Sequence, residues 1–239
     1  MIRTLYAFAS SGLTEMRDAL QFIRRIRPCL LVMGAACALG AQAGLLNVRV
    51  IDEAGTPLQG AVVFVDTTGA TPVPDLARPA AVMDQVDKKF VPQVLVVPVG
   101  ADVSFPNSDH IRHHVYSFSE ARSFELPLYA GAPAEPVRFS VPGVVVLGCN
   151  IHDWMRGYVV VVPEPFYAVT GADGTAVISG LPAGRWRVMG WHPDLALPRP
   201  VEGQEFDGAG QSASAELRMS LKRKLQLRRA PAGRGSDRY

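Results

Sequence analysis

The stretch Val144-Val145-Val146-Leu147-Gly148-Cys149-Asn150-Ile151-His152-Asp153-Trp154-Met155-Arg156-Gly157-Tyr158-Val159-Val160-Val161-Val162 sets two β-branched runs on either side of a thiol, an imidazole and a thioether spaced three residues apart. Short valine runs of this kind favour strands. A short connection between two strands forces Cys149, His152 and Met155 into one small volume. Similar runs bounded by Gly, Pro or Asp recur along the chain: Lys89-Phe90-Val91-Pro92, Val94 to Val99, Val103-Ser104-Phe105, His114 to Ser119 and Val137-Arg138-Phe139. No useful helical periodicity follows residue 43, so the expected fold class is all-β, with a Greek-key sandwich in the middle of the chain.

A thiolate with one or two imidazoles satisfies both common oxidation states of copper. A thioether is a soft, weak axial donor that zinc, magnesium and calcium sites seldom use. Cys149, His152 and Met155 therefore point to copper and leave one ligand to find. The histidine-rich stretch upstream, Phe105-Pro106-Asn107-Ser108-Asp109-His110-Ile111-Arg112-His113-His114-Val115-Tyr116, comes from another strand. Neighbouring strand residues point to opposite faces, so His113 and His114 cannot both reach one ion. Alternation does not choose between them: Val115 and Ser117 share a face with His113, and Tyr116 and Phe118 share one with His114.

In Cys149, His152, Met155, Arg156, Gly157 and the valines after Tyr158 the chain resembles the small blue copper proteins, the cupredoxins, and within them the amicyanin type of loop. That resemblance selects His113, six positions after Asn107 and followed by His114 and Val115. It implies a site of His113, Cys149 and His152 with Met155 as weak axial ligand, Asn107 linking the two ligand-bearing loops by hydrogen bonds, and His152 as the surface-edge electron port. Through Phe105-Pro106-Asn107, His113 to Ser119, Phe124-Glu125-Leu126-Pro127-Leu128-Tyr129 and Trp191-His192-Pro193 the chain also resembles a periplasmic "methylamine utilization protein" family with a plastocyanin-like domain. His110 falls outside these patterns, and His114 and His192 are read as structural or solvated residues.

On either side of this middle piece, Leu46-Asn47-Val48-Arg49-Val50-Ile51-Asp52 with Gly60-Ala61-Val62-Val63-Phe64-Val65, and Ala168-Val169-Thr170 through Trp191, read as short strands with turns at Ala54-Gly55 and Ala172-Asp173-Gly174. Asp52-Glu53-Ala54-Gly55-Thr56-Pro57-Leu58 and Leu181-Pro182-Ala183-Gly184 resemble the carboxypeptidase-regulatory or transthyretin-like sandwich. The expected organisation is a signal peptide at 1–43, a first part of the transthyretin-like sandwich at 44–78, a cupredoxin domain at 79–163 inserted within it, the second part at 164–222, and a basic disordered tail at 223–239. Proline-spaced residues 71–79 serve as the connector.

Arg24-Arg25-Ile26-Arg27, the apolar run Leu30 to Leu39 and Ala41-Gln42-Ala43 have the layout of a secretory signal. Removing it takes away Cys29 and Cys37 and leaves Cys149 alone in an oxidising, periplasmic setting, where a solitary thiol is a liability unless a metal occupies it. Residues 44–221 hold twelve basic against nineteen acidic side chains, and Lys222 onward seven against one. The tail is read as solvated in preference to a contact with anionic lipid, and an exported acidic body argues against nucleic acid as partner. No nucleophile–base pair or paired carboxylates favour an enzyme.

The expected function is therefore one-electron transfer through copper, with a redox partner docking near His152 and Trp154. Trp154 is equally open to a reading as a cap on the sandwich. A copper carrier or sensor without redox cycling is the alternative, disfavoured by a single cysteine and no methionine cluster. A carbohydrate- or protein-binding module using Trp186, Trp191 and His192 is another, disfavoured because residues at strand spacing more often pack a core.

Overall fold

The computed structural model describes residues 44–67, 80–133, 135–208 and 212–222; the expected signal peptide, the 71–79 connector and the basic tail lie outside them. Strict alternation makes β1 (Gly44–Asp52), in which Leu46, Val48 and Val50 are buried and Leu45, Asn47 and Arg49 face solvent. The unbroken apolar run of β2 (Val62–Asp66) is buried on both faces. There follow β3 (Ala81–Val82), β4 (Asp84–Val86), β5 (Lys89–Val91), β6 (Val94–Pro98), β7 (Ala101–Ser104), β8 (His113–Ser119), β9 (Arg122–Tyr129), β10 (Val137–Phe139), β11 (Gly143–Cys149) and β12 (His152–Val162). The described chain closes with β13 (Tyr167–Val169), β14 (Thr175–Leu181), β15 (Gly184–Trp191), β16 (Val201–Gly208) and β17 (Ser212–Met219). The protein is all-β, and no helix among the described residues is long and apolar enough to cross a membrane.

Pairing follows chain position. Strands β3 to β12 pair among themselves, as a five-stranded sheet β6-β12-β11-β8-β9, a three-stranded sheet β10-β7-β3 and the hairpin β4-β5. Strands from the two ends pair with each other, as β14-β1-β17 and β13-β2-β15-β16. Two hydrophobic cores result. Met83, Phe105, Val115, Phe139, Val145, Leu147, Cys149 and Met155 belong to one, and Leu46, Val62, Trp186, Val188, Trp191 and Leu217 to the other.

Strand β12 serves both. Val159 and Val161 enter the first core while Tyr158, Val160 and Val162 enter the second, joined by Val94, Val96 and Val144 of neighbouring strands. The Tyr158 ring lies 5.1 Å from that of Trp191. The run Tyr158-Val159-Val160-Val161-Val162 is apolar throughout because both faces of β12 are covered, the pattern expected of a strand buried on two sides.

Four strands were not legible: β3, β4, β9 and β16. β9 and β16 both lie at sheet edges. An edge strand facing water needs little apolar patterning and tolerates Pro127 and Gly203. β12 also starts six residues earlier than the valine run suggests, at His152, so the turn after Cys149 is only Asn150 and Ile151.

Candidate metal centre

Cys149 ends β11 and His152 begins β12, and the two residues pair across the turn. Between this pair and the next, Gly148 with Arg156, β11 advances one residue while β12 advances four, an extended bulge. Regular alternation would send His152 and Met155 to opposite faces. The bulge carries the extra length outward through Asp153 and Trp154, both exposed, and returns Met155 to the interior. Gly148 makes room beside it: a Cβ there would lie 2.7 Å from the ring of Tyr116.

His113 opens β8, where Val115 and Ser117 share its fully buried face and Phe118 on the other face is 82% exposed. Nδ1 of His113 lies 3.8 Å from Cys149 Sγ, and Nδ1 of His152 lies 3.7 Å from the same sulfur. The two imidazole rings are 5.0 Å apart. Donors bound at about 2.0–2.3 Å to one ion, about 120° apart, stand roughly 3.7 Å from one another. His113, Cys149 and His152 therefore form a group with the spacing of a metal site, and a thiolate with two imidazoles is a donor set that copper takes. Met155 is buried in the same core as Cys149, and both line a cleft with Tyr116, Phe118 and Arg156 that nothing in the sequence announced.

Asn107 is buried and braces one loop only. Its Nδ2 donates to the carbonyls of Ile111 and Tyr129, and its Oδ1 accepts from Asp109 N–H. The expected hydrogen-bonded link between the two ligand-bearing loops is thus corrected: among the described residues Asn107 makes no bond to residues 149–155. It fixes the loop before His113 and the end of β9 instead. The Tyr129 hydroxyl, which donates to the Phe105 carbonyl at 2.6 Å, has its pKa pushed up to about 12, chiefly by burial.

Asp109, which sequence reading passed over, sits 2.6 Å from His113 Nε2 through Oδ2. Its only sequence signal was a carboxylate four residues before a ligand candidate. Burial raises its pKa, but hydrogen bonds from Lys88 N–H, His113 and Asp87 N–H outweigh this and hold it below the usual carboxylate range. Which of the two atoms carries the hydrogen depends on the His113 tautomer.

His152 is nearly buried, with its ring 5.1 Å from that of Trp154, which is 69% exposed. His114 turns away from the group: its Nε2 lies 3.0 Å from Glu125 Oε1 and its ring 5.8 Å from that of Tyr116. His110 is exposed. Trp186 and Trp191 are core residues, 2% exposed each. His114→Ala is expected to leave the visible spectrum of the copper-loaded protein at its wild-type position and intensity, while His113→Ala removes it; absorption spectra of the two variants check this.

The fold and the site together define an all-β protein with a buried His-Cys-His group, between neighbouring strands of one sheet, that could hold a metal ion. No family model matches the chain, and no curated protein matches it. Among solved structures it is similar to a copper-containing nitrite reductase from Thermus scotoductus, at 23% identity and a TM-score of 0.34 over 48% of this chain. This chain spans 28% of that reductase. It is similar to a reduced Cu(I) amicyanin variant, at 24% identity and 0.33 over 42% of this chain and 98% of that one. A purple cupredoxin from Nitrosopumilus maritimus matches at 22% identity and 0.30, over 35% of this chain and 98% of that one.

Proposed function

We propose that the protein is an exported type 1 copper protein that passes single electrons between redox partners. The observation that carries this reading is the convergence of one buried thiol and two imidazole Nδ1 atoms at 3.7 and 3.8 Å. Bound copper supplies the one-electron couple. The protein would supply a rigid cage: His113 is fully buried and bonded to Asp109, Cys149 is 3% exposed, and Asn107 pins the loop before His113. Met155, buried in the same core as Cys149, would complete the donor set and leave no position for a substrate at the ion. His152 is the ligand nearest the surface, and the exposed Trp154 ring against it is the proposed contact for a partner protein. A carrier that releases its metal needs an accessible site, so burial of all three donors favours electron transfer over delivery.

Anaerobic titration of the protein with Cu(II), followed by absorption and electron-paramagnetic-resonance spectra, tests the reading. One equivalent is expected to give an intense blue or green thiolate-to-copper band and a narrow copper hyperfine pattern. A colourless complex rejects the redox assignment.

A further inference from the structure

We propose that Asp109 is the positioning residue of the metal centre: its carboxylate accepts a hydrogen bond from His113 Nε2–H, so that the unprotonated Nδ1 is the nitrogen turned toward Cys149. The metal-ligand part of this inference rests on the copper reading above; the tautomer part does not.

A neutral imidazole carries one proton, and a metal can bind only the nitrogen without it. His113 is fully buried, so the choice between its two tautomers is made by the groups that face it. Nδ1 faces the sulfur at 3.8 Å, and Nε2 faces Asp109 Oδ2 at 2.6 Å. Were the proton on Nδ1, it would point into the space between the three donors, and Nε2 would oppose a carboxylate oxygen with no hydrogen between them. Carboxylate partners of this kind fix the orientation of a ligand ring and raise its basicity.

The carboxylate is itself held. Asp109 Oδ1 accepts Asp87 N–H at 2.7 Å, and Oδ2 accepts Lys88 N–H at 2.9 Å. These two residues form the two-residue loop between β4 and β5, and their φ angles are 51° and 56°. Left-handed backbone is unfavourable for a residue with a side chain. Hairpins adopt it where strand twist demands, usually with Asn-Gly or Asp-Gly. Here Lys88 stands in the place glycine commonly takes, and the turn aims two adjacent N–H groups at one carboxylate. The hairpin, Asp109 and His113 thus form a relay of hydrogen bonds that ends at the metal-facing nitrogen.

The test uses the full chain, metal-free, with ¹⁵N-labelled histidine and long-range ¹H–¹⁵N correlation at neutral pH, together with copper affinity by chelator competition. Wild-type His113 is expected as the Nε2–H tautomer. Asp109→Ala is expected to populate the Nδ1–H form and to weaken copper binding about 10- to 100-fold. Asp109→Asn, which keeps an acceptor oxygen, is expected to retain the Nε2–H form with only a several-fold loss of affinity. Wild-type His113 in the Nδ1–H form overturns the inference whatever the variants do. So does a folded Asp109→Ala protein with unchanged tautomer and unchanged affinity. Should Asp109→Ala fail to fold, Asp109→Asn decides: wild-type affinity there overturns a role for the carboxylate. Because the tautomer is read without metal, a wild-type protein that binds copper without colour sinks the proposed function and leaves this result standing.

Discussion

Replacing Cys149 with serine is expected to abolish the intense visible band of the copper-loaded protein and to weaken copper binding by more than about 100-fold, beyond what losing an outer partner of a ligand costs. The band arises from electron transfer out of a thiolate sulfur, and a serine oxygen is neither ionised near neutral pH nor soft enough to replace it. The substitution is close to isosteric at a site 3% exposed, with Sγ in contact range of both imidazoles. Folding should therefore survive, and a thermal melt of the metal-free variant should stay within about 1.5 kcal/mol of wild type. Absorption spectra and chelator competition measure the two effects. Retention of the colour by Cys149→Ser would show that copper sits elsewhere in the chain.

The second large effect concerns the strand that carries the site. Val160→Asp is expected to destabilise the metal-free protein by at least about 3 kcal/mol, because it places a carboxylate in a dry core. At this chain length that lowers the melting temperature by roughly 6–12 °C. Val160 is 1% exposed and packs with Trp191 and Val188 in the core built from the chain ends. Val146 stands on the same face of the same sheet, on β11, but is 41% exposed. Val146→Asp should cost only about 1 kcal/mol or less, the strand-propensity difference. The contrast measures how far the cover over that face extends. Equal melting temperatures for the two variants would mean that the outer face of β12 is not buried as described.

The all-β class was readable because its evidence is local. Leu46, Val48 and Val50 alternate with polar residues, and valine runs mark the buried strands. The ligand loop was readable for the same reason: Cys149, His152 and Met155 fall within seven residues, so chain connectivity alone keeps them close. β3 and β4 escaped because they are only two and three residues long, and β9 and β16 because they are half-solvated edge strands interrupted by Pro127 and Gly203.

Local sequence could not separate His113 from His114, since alternation along β8 assigns each a face without saying which face meets the sulfur. The fold decides it through sheet order, which sets β8 beside β11 and brings Nδ1 of His113 to within 3.8 Å of Cys149. Asn107 illustrates the limit of pattern: its position suggested bracing, but its partners, Ile111, Tyr129 and Asp109, are known only from the folded loop.

What the amino-acid sequence determined by itself is the strand-forming pattern and the identity and spacing of the soft donors on one loop, because both depend on neighbours a few residues apart. Tertiary structure alone decided which upstream histidine joins them, the bulge that turns His152 and Met155 the same way, the two-sided burial of β12, and the meeting of the Asp87-Lys88 turn with Asp109 and His113. Those contacts join residues from separate strands, and their distances are set by how the sheets stack.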